Sequence, residues 1–82
     1  MPAAPAPSTA ALGAAVADRR RELHLKQEEL AAACGVHRAY LAGIEQGRRN
    51  PTWRVLGRIA DGLGLQLSEL AARAEAIARD RP

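Results

Sequence analysis

Two side chains with metal-binding or nucleophilic potential, Cys34 and His37, lie three residues apart in the stretch CGVH. They could supply half of a metal site, a nucleophile beside its base, or merely the two sides of a turn. A structural zinc site needs four ligands, yet only His24 remains and the chain has no CxxC pair. A nucleophile needs an oriented base and an oxyanion site, which a short exposed turn does not offer. We therefore expect a turn, with no metal, cofactor or catalytic residue, in a protein that is not an enzyme.

The chain around this turn has the composition of one small helical domain. Its 82 residues include no Phe, one Trp and one Tyr, while Ala is abundant. Ala has the best helix propensity, and β-branched residues are too few to build a sheet. The predicted fold class is all-α. A domain of this size has a modest core, so association with a second copy would be a natural supplement.

Positive charge is concentrated in residues 37–58, which hold five arginines and one acidic residue and so carry +4, against +3 for the whole chain. A local basic excess is the electrostatic footprint of a polyanion-binding surface. A solvated charged face would have the same composition. The arginines are Arg38, Arg48, Arg49, Arg54 and Arg58, and the acidic residue is Glu45.

The sequence also bears on location. No apolar run approaches the roughly 18 residues of a membrane helix, and MPAAPAPSTA lacks the charged and apolar regions of a secretory signal. A single cysteine cannot form an internal disulfide, which fits a reducing compartment. We expect a cytoplasmic protein without membrane association, located at the nucleoid if it binds DNA.

Apolar periodicity predicts five short helices joined by short connections, without an internal repeat. Residues 1–8, rich in Pro and Ala, are expected to be a disordered tail. Residues 9–70 would form the domain, and residues 71–82 a helical extension and tail. The predicted helices run from Ser8 or Thr9 to about His24, from Gln27 to Gly35, from His37 to Gly47, from Thr52 to Gly62 or Gly64, and from Ser68 onward.

Residues 27–45 have the sequence form of two helices joined by a tight turn. Gly35 supplies the positive φ that such a turn needs. Ala31 is expected where the two helices approach closely, since a larger side chain would separate them. Val36 and Leu41 would close the corner. These are requirements of shape, and they argue only indirectly for DNA.

The stretch LxLKQEELAAACGVHRAYLAGIEQGRRNPT resembles the lambda-repressor-like, or XRE, family of helix-turn-helix regulators. The resemblance covers about residues 12–70 and rests on the joint spacing of EELA, the GV turn, YL-x-x-IE-x-G and RRNP. It implies a compact five-helix DNA-binding domain with a recognition helix at about residues 37–46 in the major groove. It also implies a homodimer on an inverted repeat.

By this resemblance, the start of the recognition helix would contact base edges. Arg38 is the best reader, because its planar fork matches guanine O6 and N7. Alanine and glycine offer no side-chain hydrogen bond, although Ala can touch a thymine methyl. Phosphate contacts and DNA shape would then supply more of the selectivity. The predicted base-contact residues are His37, Arg38, Ala39, Ala42 and Gly43.

Phosphate contacts are expected around this helix, with steeply salt-dependent affinity. Gln27 opens the second helix, and a helix N-terminus is a ready anion site. Tyr40 could instead pack at the helix surface, and Arg58 could add to the set. The predicted phosphate-contact residues are Gln27, Tyr40, Arg48, Arg49, Asn50 and Arg54.

Two further residues have structural expectations. Arg20 resembles the family position that pairs with the glutamate of the third helix, here Glu45, which would tie the first helix to the recognition helix. Glu45 could instead be only an exposed helix residue. Trp53, beside the start of the fourth helix, is expected in a partial core or an interface rather than stacked on a base.

Two functions from different classes remain. The leading one is a sequence-selective DNA-binding transcriptional regulator, whose dimer surface would be the fourth and fifth helices with residues 71–80. That segment could equally cover the chain's own core. The alternative is a protein-interaction module on the same fold, such as an antitoxin. No small-molecule ligand is expected, because the chain has no room for a sensor domain.

Overall fold

The computed structural model describes residues 7–80, and these residues form five α-helices without a strand. The all-α class and the number of helices predicted from the sequence are confirmed. Residues 1–6, most of the predicted disordered tail, and residues 81 and 82 lie outside the described part. The helices are α1 (Thr9–Glu22), α2 (Gln27–Cys34), α3 (Arg38–Glu45), α4 (Trp53–Gly62) and α5 (Leu67–Asp80).

Side-chain caps fix the starts of α1 and α4. The Ser8 hydroxyl accepts a hydrogen bond from the Ala11 N–H at 3.1 Å, and the Thr52 hydroxyl accepts one from the Val55 N–H at 3.2 Å. Each bond satisfies a backbone donor that has no partner within the helix. Thr52, the predicted start of α4, is thus its cap. Of Ser8 and Thr9, the two predicted starts of α1, Ser8 is the cap.

The α1–α2 and α4–α5 connections have the same design, although no internal repeat was expected. Residues 23–30 and 63–70 share the pattern LxLxxxEL. In both connections the second residue has a positive φ, 57° at His24 and 68° at Gly64. The preceding helix therefore ends two residues earlier than its apolar pattern suggests, so α1 stops at Glu22 rather than near His24.

Helices α2 and α5, which follow these two connections, also begin with the same type of hydrogen bond. The Glu29 carboxylate accepts the Lys26 N–H, and the Glu69 carboxylate accepts the Gln66 N–H, each at 2.8 Å. A lysine ammonium has no acceptor to return the bond, so only this half of a capping box forms at α2. The prediction that Ser68 starts α5 is wrong, because the helix begins one residue earlier, at Leu67.

The core consists of aliphatic side chains from all five helices. Small residues let the helices approach closely, and branched residues fill the centre without aromatic rings. The largest fully buried side chains are Val16, Leu30, Leu41, Ile44, Ile59, Leu63 and Leu70. Helix α1 packs against α3 and α5, and α2 packs against α3 and α4. This arrangement places α3 between α1 and α2.

Helix α5 runs without a break to Asp80, so the predicted domain boundary after Leu70 falls inside it. Ala74 is buried, and Ile77 packs against the core. Arg73 forms an ion pair with Glu22 of α1 at 2.8 Å. Residues 71–80 therefore cover the chain's own core, which was one of the two possibilities left open. Among residues 7–80, no helix is both long and apolar enough to span a bilayer.

Candidate nucleic-acid interface

The turn between α2 and α3 has the predicted form. Gly35 ends α2 with a φ of 70°, and its N–H donates to the Ala32 carbonyl. The next N–H, that of Val36, donates to the Ala31 carbonyl at 3.0 Å. Ala31 is buried at the helix contact. This pattern of bonds with a left-handed glycine closes a helix C-terminus and redirects the chain into α3.

Cys34 and His37 lie on opposite sides of this turn and do not form a site together. The thiol is buried, with 3% of Cys34 exposed, whereas His37 is exposed. Burial raises the pKa of the Cys34 thiol, which keeps it in the unreactive protonated form. Across residues 7–80, no three His, Cys, Asp or Glu side chains are grouped as metal ligands.

The C-terminal end of α3 is held by a hydrogen-bonded ion pair. Arg20 donates to both carboxylate oxygens of Glu45, from Nε at 2.8 Å and from Nη2 at 2.9 Å. The side chains are 12% and 5% exposed, respectively. A third donor, Arg20 Nη1, reaches the Leu25 carbonyl at 2.9 Å. The hydrogen bonds to Glu45 raise the pKa of Arg20. The predicted pair is present, and it joins α1, the α1–α2 connection and α3.

Gln27 contributes to the same network, which the sequence did not reveal. Its amide nitrogen donates to Glu45 Oε1 at 2.9 Å. The side chain is thus turned toward α3 rather than standing free at the start of α2. The backbone N–H of Gln27 remains at the helix N-terminus, where an anion is favoured.

Close backbone packing fixes the same end of α3 against α1. A Cβ at Gly13 would overlap the Ile44 carbonyl oxygen and would lie 2.6 Å from that of Glu45. The Thr9 hydroxyl donates to the Gly47 carbonyl at 3.0 Å. Both contacts were missed from the sequence, although a glycine inside a helical pattern is itself a signal of close packing.

The N-terminal end of α3 is open. His37 is the cap residue, but its side chain makes no capping bond. His37, Arg38 and Ala39 are all exposed, and Ala42 is half-buried. The predicted base-contact residues are therefore accessible at the first turn and partly accessible at the second.

Gly43, the fifth predicted base-contact residue, is not accessible, because the Arg49 side chain covers it. Gly43 is buried, and a Cβ at this position would lie 2.6 Å from Arg49 Cγ. The Gly43 carbonyl also accepts the N–H groups of Arg48 at 2.8 Å and Arg49 at 3.2 Å. In this structure the loop after α3 packs on Gly43 and hydrogen-bonds to its carbonyl. A base could reach Gly43 only if the Arg49 side chain moved.

The loop after α3 and the first turn of α4 present the remaining predicted phosphate contacts. Arg48, Arg49, Asn50 and Arg54 are exposed, and among residues 7–80 none of the three arginines takes part in an ion pair. Tyr40 is half-buried and packs against the core, so the packing interpretation accounts for part of its surface.

Trp53 lies on the surface, so of its two expected positions, a partial core or an interface, the core position is excluded. It is 77% exposed at the first position of α4. Ile59 is buried, and Val55 and Leu56 pack against the core, so they occupy the inward face of this helix. A short helix has only one such face, and Trp53 falls outside it.

The sequence profile of the helix-turn-helix family matches residues 16–70, which span α2, the turn and α3 with their supporting helices. The chain belongs to this family. The lambda-repressor-like, or XRE, resemblance is thereby confirmed, and one of the matching solved structures is that of a gene regulator, ClgR.

Individual relatives agree with the family match. The ImmF control region 10 kDa protein of Bacillus phage phi105 is 49% identical over 59 residues, which are 72% of this chain and 66% of that protein. The chain therefore spans just under two thirds of that relative's length. The clp gene regulator ClgR from Corynebacterium glutamicum superposes with a TM-score of 0.87 at 28% identity, covering 94% of this chain and 83% of ClgR.

A second solved structure is similar over a shorter part. The restriction-modification controller protein C.AhdI from Aeromonas hydrophila superposes with a TM-score of 0.74 at 31% identity. The match covers 76% of this chain and 94% of C.AhdI.

Proposed function

We propose that this chain is a sequence-selective DNA-binding transcriptional regulator with α3 in the major groove. The observation that carries the proposal is the contrast within α3: His37, Arg38 and Ala39 at its start are exposed, while its last turn is fixed to α1 and α2 by side-chain hydrogen bonds. A reading element needs free side chains on a rigidly positioned backbone. The exposed arginines of the following loop supply the positive charge that a DNA backbone requires.

Within this site the proposed roles divide by position. Arg38 reads a guanine through its two parallel donors, and His37 reaches an adjacent base or phosphate. Ala39 and Ala42 contact thymine methyl groups. Gly43 supports Arg49 from beneath, which is a different role from the direct base contact expected from the sequence.

The proposed phosphate contacts surround the groove. Arg48, Arg49, Asn50 and Arg54 bind the backbone through their side chains, and Tyr40 adds its exposed edge. Gln27 contributes its backbone N–H at the start of α2, where the helix dipole favours an anion. These contacts fix the register of α3 without reading sequence.

We further propose that the chain acts as a cytoplasmic, nucleoid-associated homodimer on an inverted repeat. An eight-residue helix with one strong hydrogen-bonding reader gives weak recognition alone, and two half-sites about one helical turn apart multiply it. The phage control-region protein and the restriction-modification controller among the relatives support a regulatory role.

Selection of bound sequences from a random duplex pool tests this function. The winning sequence would then be titrated against random DNA at several salt concentrations, with the stoichiometry measured. A palindromic winner, a clear specificity ratio and two chains per duplex are expected. Enrichment of no sequence, with equally weak binding throughout, would contradict the proposal and favour a protein-interaction module.

A further inference from the structure

Trp53 is a large apolar side chain that the fold does not use. It is 77% exposed, and the other exposed large apolar residue among residues 7–80, Leu23, is only 37% exposed. A single exposed apolar residue is common on protein surfaces and needs no function by itself. What distinguishes Trp53 is its position at the start of α4, directly after the loop that follows α3.

The chain segment on either side of Trp53 is basic. Residues 46–60 contain four arginines, all exposed, and no carboxylate. If two copies of this chain met through this surface by a two-fold axis, like charges would face each other, which opposes association. The charge of the surface instead complements a polyanion. The arginines are Arg48, Arg49, Arg54 and Arg58.

An indole has the chemistry to bind a sugar-phosphate backbone. Its rings are apolar, and its Nε1–H is a hydrogen-bond donor without acceptor capacity. A deoxyribose offers an apolar face, and the adjoining phosphate offers acceptor oxygens. Helical side chains lean toward the N-terminus of their helix, which for Trp53 is the direction of the loop carrying Arg48 and Arg49.

We propose that Trp53 is a further DNA-contacting residue. Its indole lies against a deoxyribose of the strand that the loop arginines bind, and its Nε1–H donates to a phosphate oxygen of that strand. This inference rests on the proposed function and adds to it a contact that reads no base. Because Trp53 carries no charge, its contact contributes to affinity without contributing to counterion release.

Trp53 is the only tryptophan in the chain, so its fluorescence reports on this contact without a label. Wild-type protein held at one concentration would be titrated with the selected duplex. We expect a change in emission that saturates together with binding. Dilution of the protein alone, across the range in which a dimer dissociates, should leave the emission unchanged. A change on dilution with none on adding DNA would overturn the inference and place Trp53 between two chains.

Variants give an independent test. Trp53→Ala should bind selected and random duplexes about tenfold more weakly, the scale of one hydrogen bond to a charged group. Its dependence on salt should stay that of the wild type. Trp53→Phe, which keeps the apolar ring and loses the donor, should fall between the two. Leu23→Ala, which shortens the other exposed apolar residue, should bind as the wild type.

The two proposals fail in different ways. If the wild type binds duplex DNA with the expected dependence on salt and Trp53→Ala binds equally well, Trp53 has no role and the regulator remains. If the wild type binds no duplex in a salt-dependent manner, the proposed function itself is wrong.

Discussion

The last turn of α3 is held by side-chain hydrogen bonds and by close backbone contact with α1, whereas the first turn packs Leu41 into the core and leaves Arg38 and Ala39 exposed. The last turn receives the Arg20 and Gln27 hydrogen bonds through Glu45 and lies in backbone contact with Gly13. The first turn exposes His37 and Arg38, without a side-chain cap. The two ends of this eight-residue helix thus differ in their side chains, which are hydrogen-bonded at the last turn and exposed at the start.

The difference separates positioning from recognition. Residues that fix α3 have satisfied hydrogen bonds and little exposed surface, so their loss should be measured as instability. Residues that we propose to read DNA have few partners in the free protein, so their loss should leave stability almost unchanged. The first two predictions below and the last one each change one side of this division.

The largest expected effect is that of Glu45→Ala. Removing the carboxylate leaves Arg20 largely buried without its charge partner, which typically lowers the free energy of unfolding by about 3–5 kcal/mol. Urea denaturation followed by circular dichroism measures the loss. The exposed Glu28→Ala is the matched control and should change stability by under about 0.5 kcal/mol. Equal, small losses for both variants would mean that the ion pair does not hold α3.

Gly13→Ala should be next in size. The added Cβ has no room against the carbonyls of Ile44 and Glu45, so α1 and α3 must separate. We expect a loss of about 3 kcal/mol in the free energy of unfolding, at the upper end of overpacking effects.

Gly57→Ala is the control for that substitution, because a Cβ at Gly57 meets no atom within 4 Å. This change should stabilise the protein by about 1 kcal/mol through helix propensity. Thermal unfolding of the two variants compares them directly. If Gly13→Ala were also stabilising, the close approach of α1 and α3 would be wrong.

A smaller effect should come from the two similar connections. His24 adopts a positive φ that favours glycine, so His24→Gly should raise the free energy of unfolding by about 0.5–1 kcal/mol. Gly64→Ala, at the equivalent position, should lower it by about 1 kcal/mol. Neither variant should alter DNA binding, because neither residue is among the proposed DNA contacts. Shifts of the same sign in both would contradict the equivalence of the connections.

The smallest effect concerns the ion pair between α1 and α5. The hydrogen bond from Arg73, and then that from Arg19, holds the pKa of Glu22 below its ordinary value. The folded state therefore gains stability from Glu22 above the ordinary glutamate pKa and loses it as pH falls through the lowered value. Arg73→Gln should reduce the difference in unfolding free energy between neutral and acidic pH. An unchanged difference would show that this exposed pair contributes nothing.

Much of the fold was predictable from the sequence because it depends on local chemistry. The helix periodicity, the cap at Thr52 and the left-handed Gly35 each follow from a few neighbouring residues. Their positions in the structure agree with the prediction, apart from one or two residues at some helix ends. The start of α5 was predicted one residue too late. The Glu69 carboxylate accepts the N–H of Gln66, the residue before Leu67, and a cap of this type competes with the more common serine cap.

The contacts that hold α3 were harder to predict, because they join residues distant in the chain. The Arg20–Glu45 pair followed only from the family resemblance. Thr9 and Gly13 gave no signal of their partners, and Trp53 was assigned to a core or an interface because its type is usually buried. Packing between residues distant in the chain determines these contacts, whereas a periodic sequence pattern predicts only which face of a helix is apolar.

We propose that Arg38 reads bases while Arg49 binds phosphate, and one experiment separates these two roles directly. Arg38→Ala and Arg49→Ala would be titrated on selected and random duplexes over a range of salt. We predict that Arg38→Ala loses about 1–3 kcal/mol of binding free energy on the selected duplex and little on random DNA. Arg49→Ala should lose similar amounts on both and lower the salt slope by about one. Equal losses on both duplexes for both variants would contradict the division of α3 and its loop into reading and binding residues.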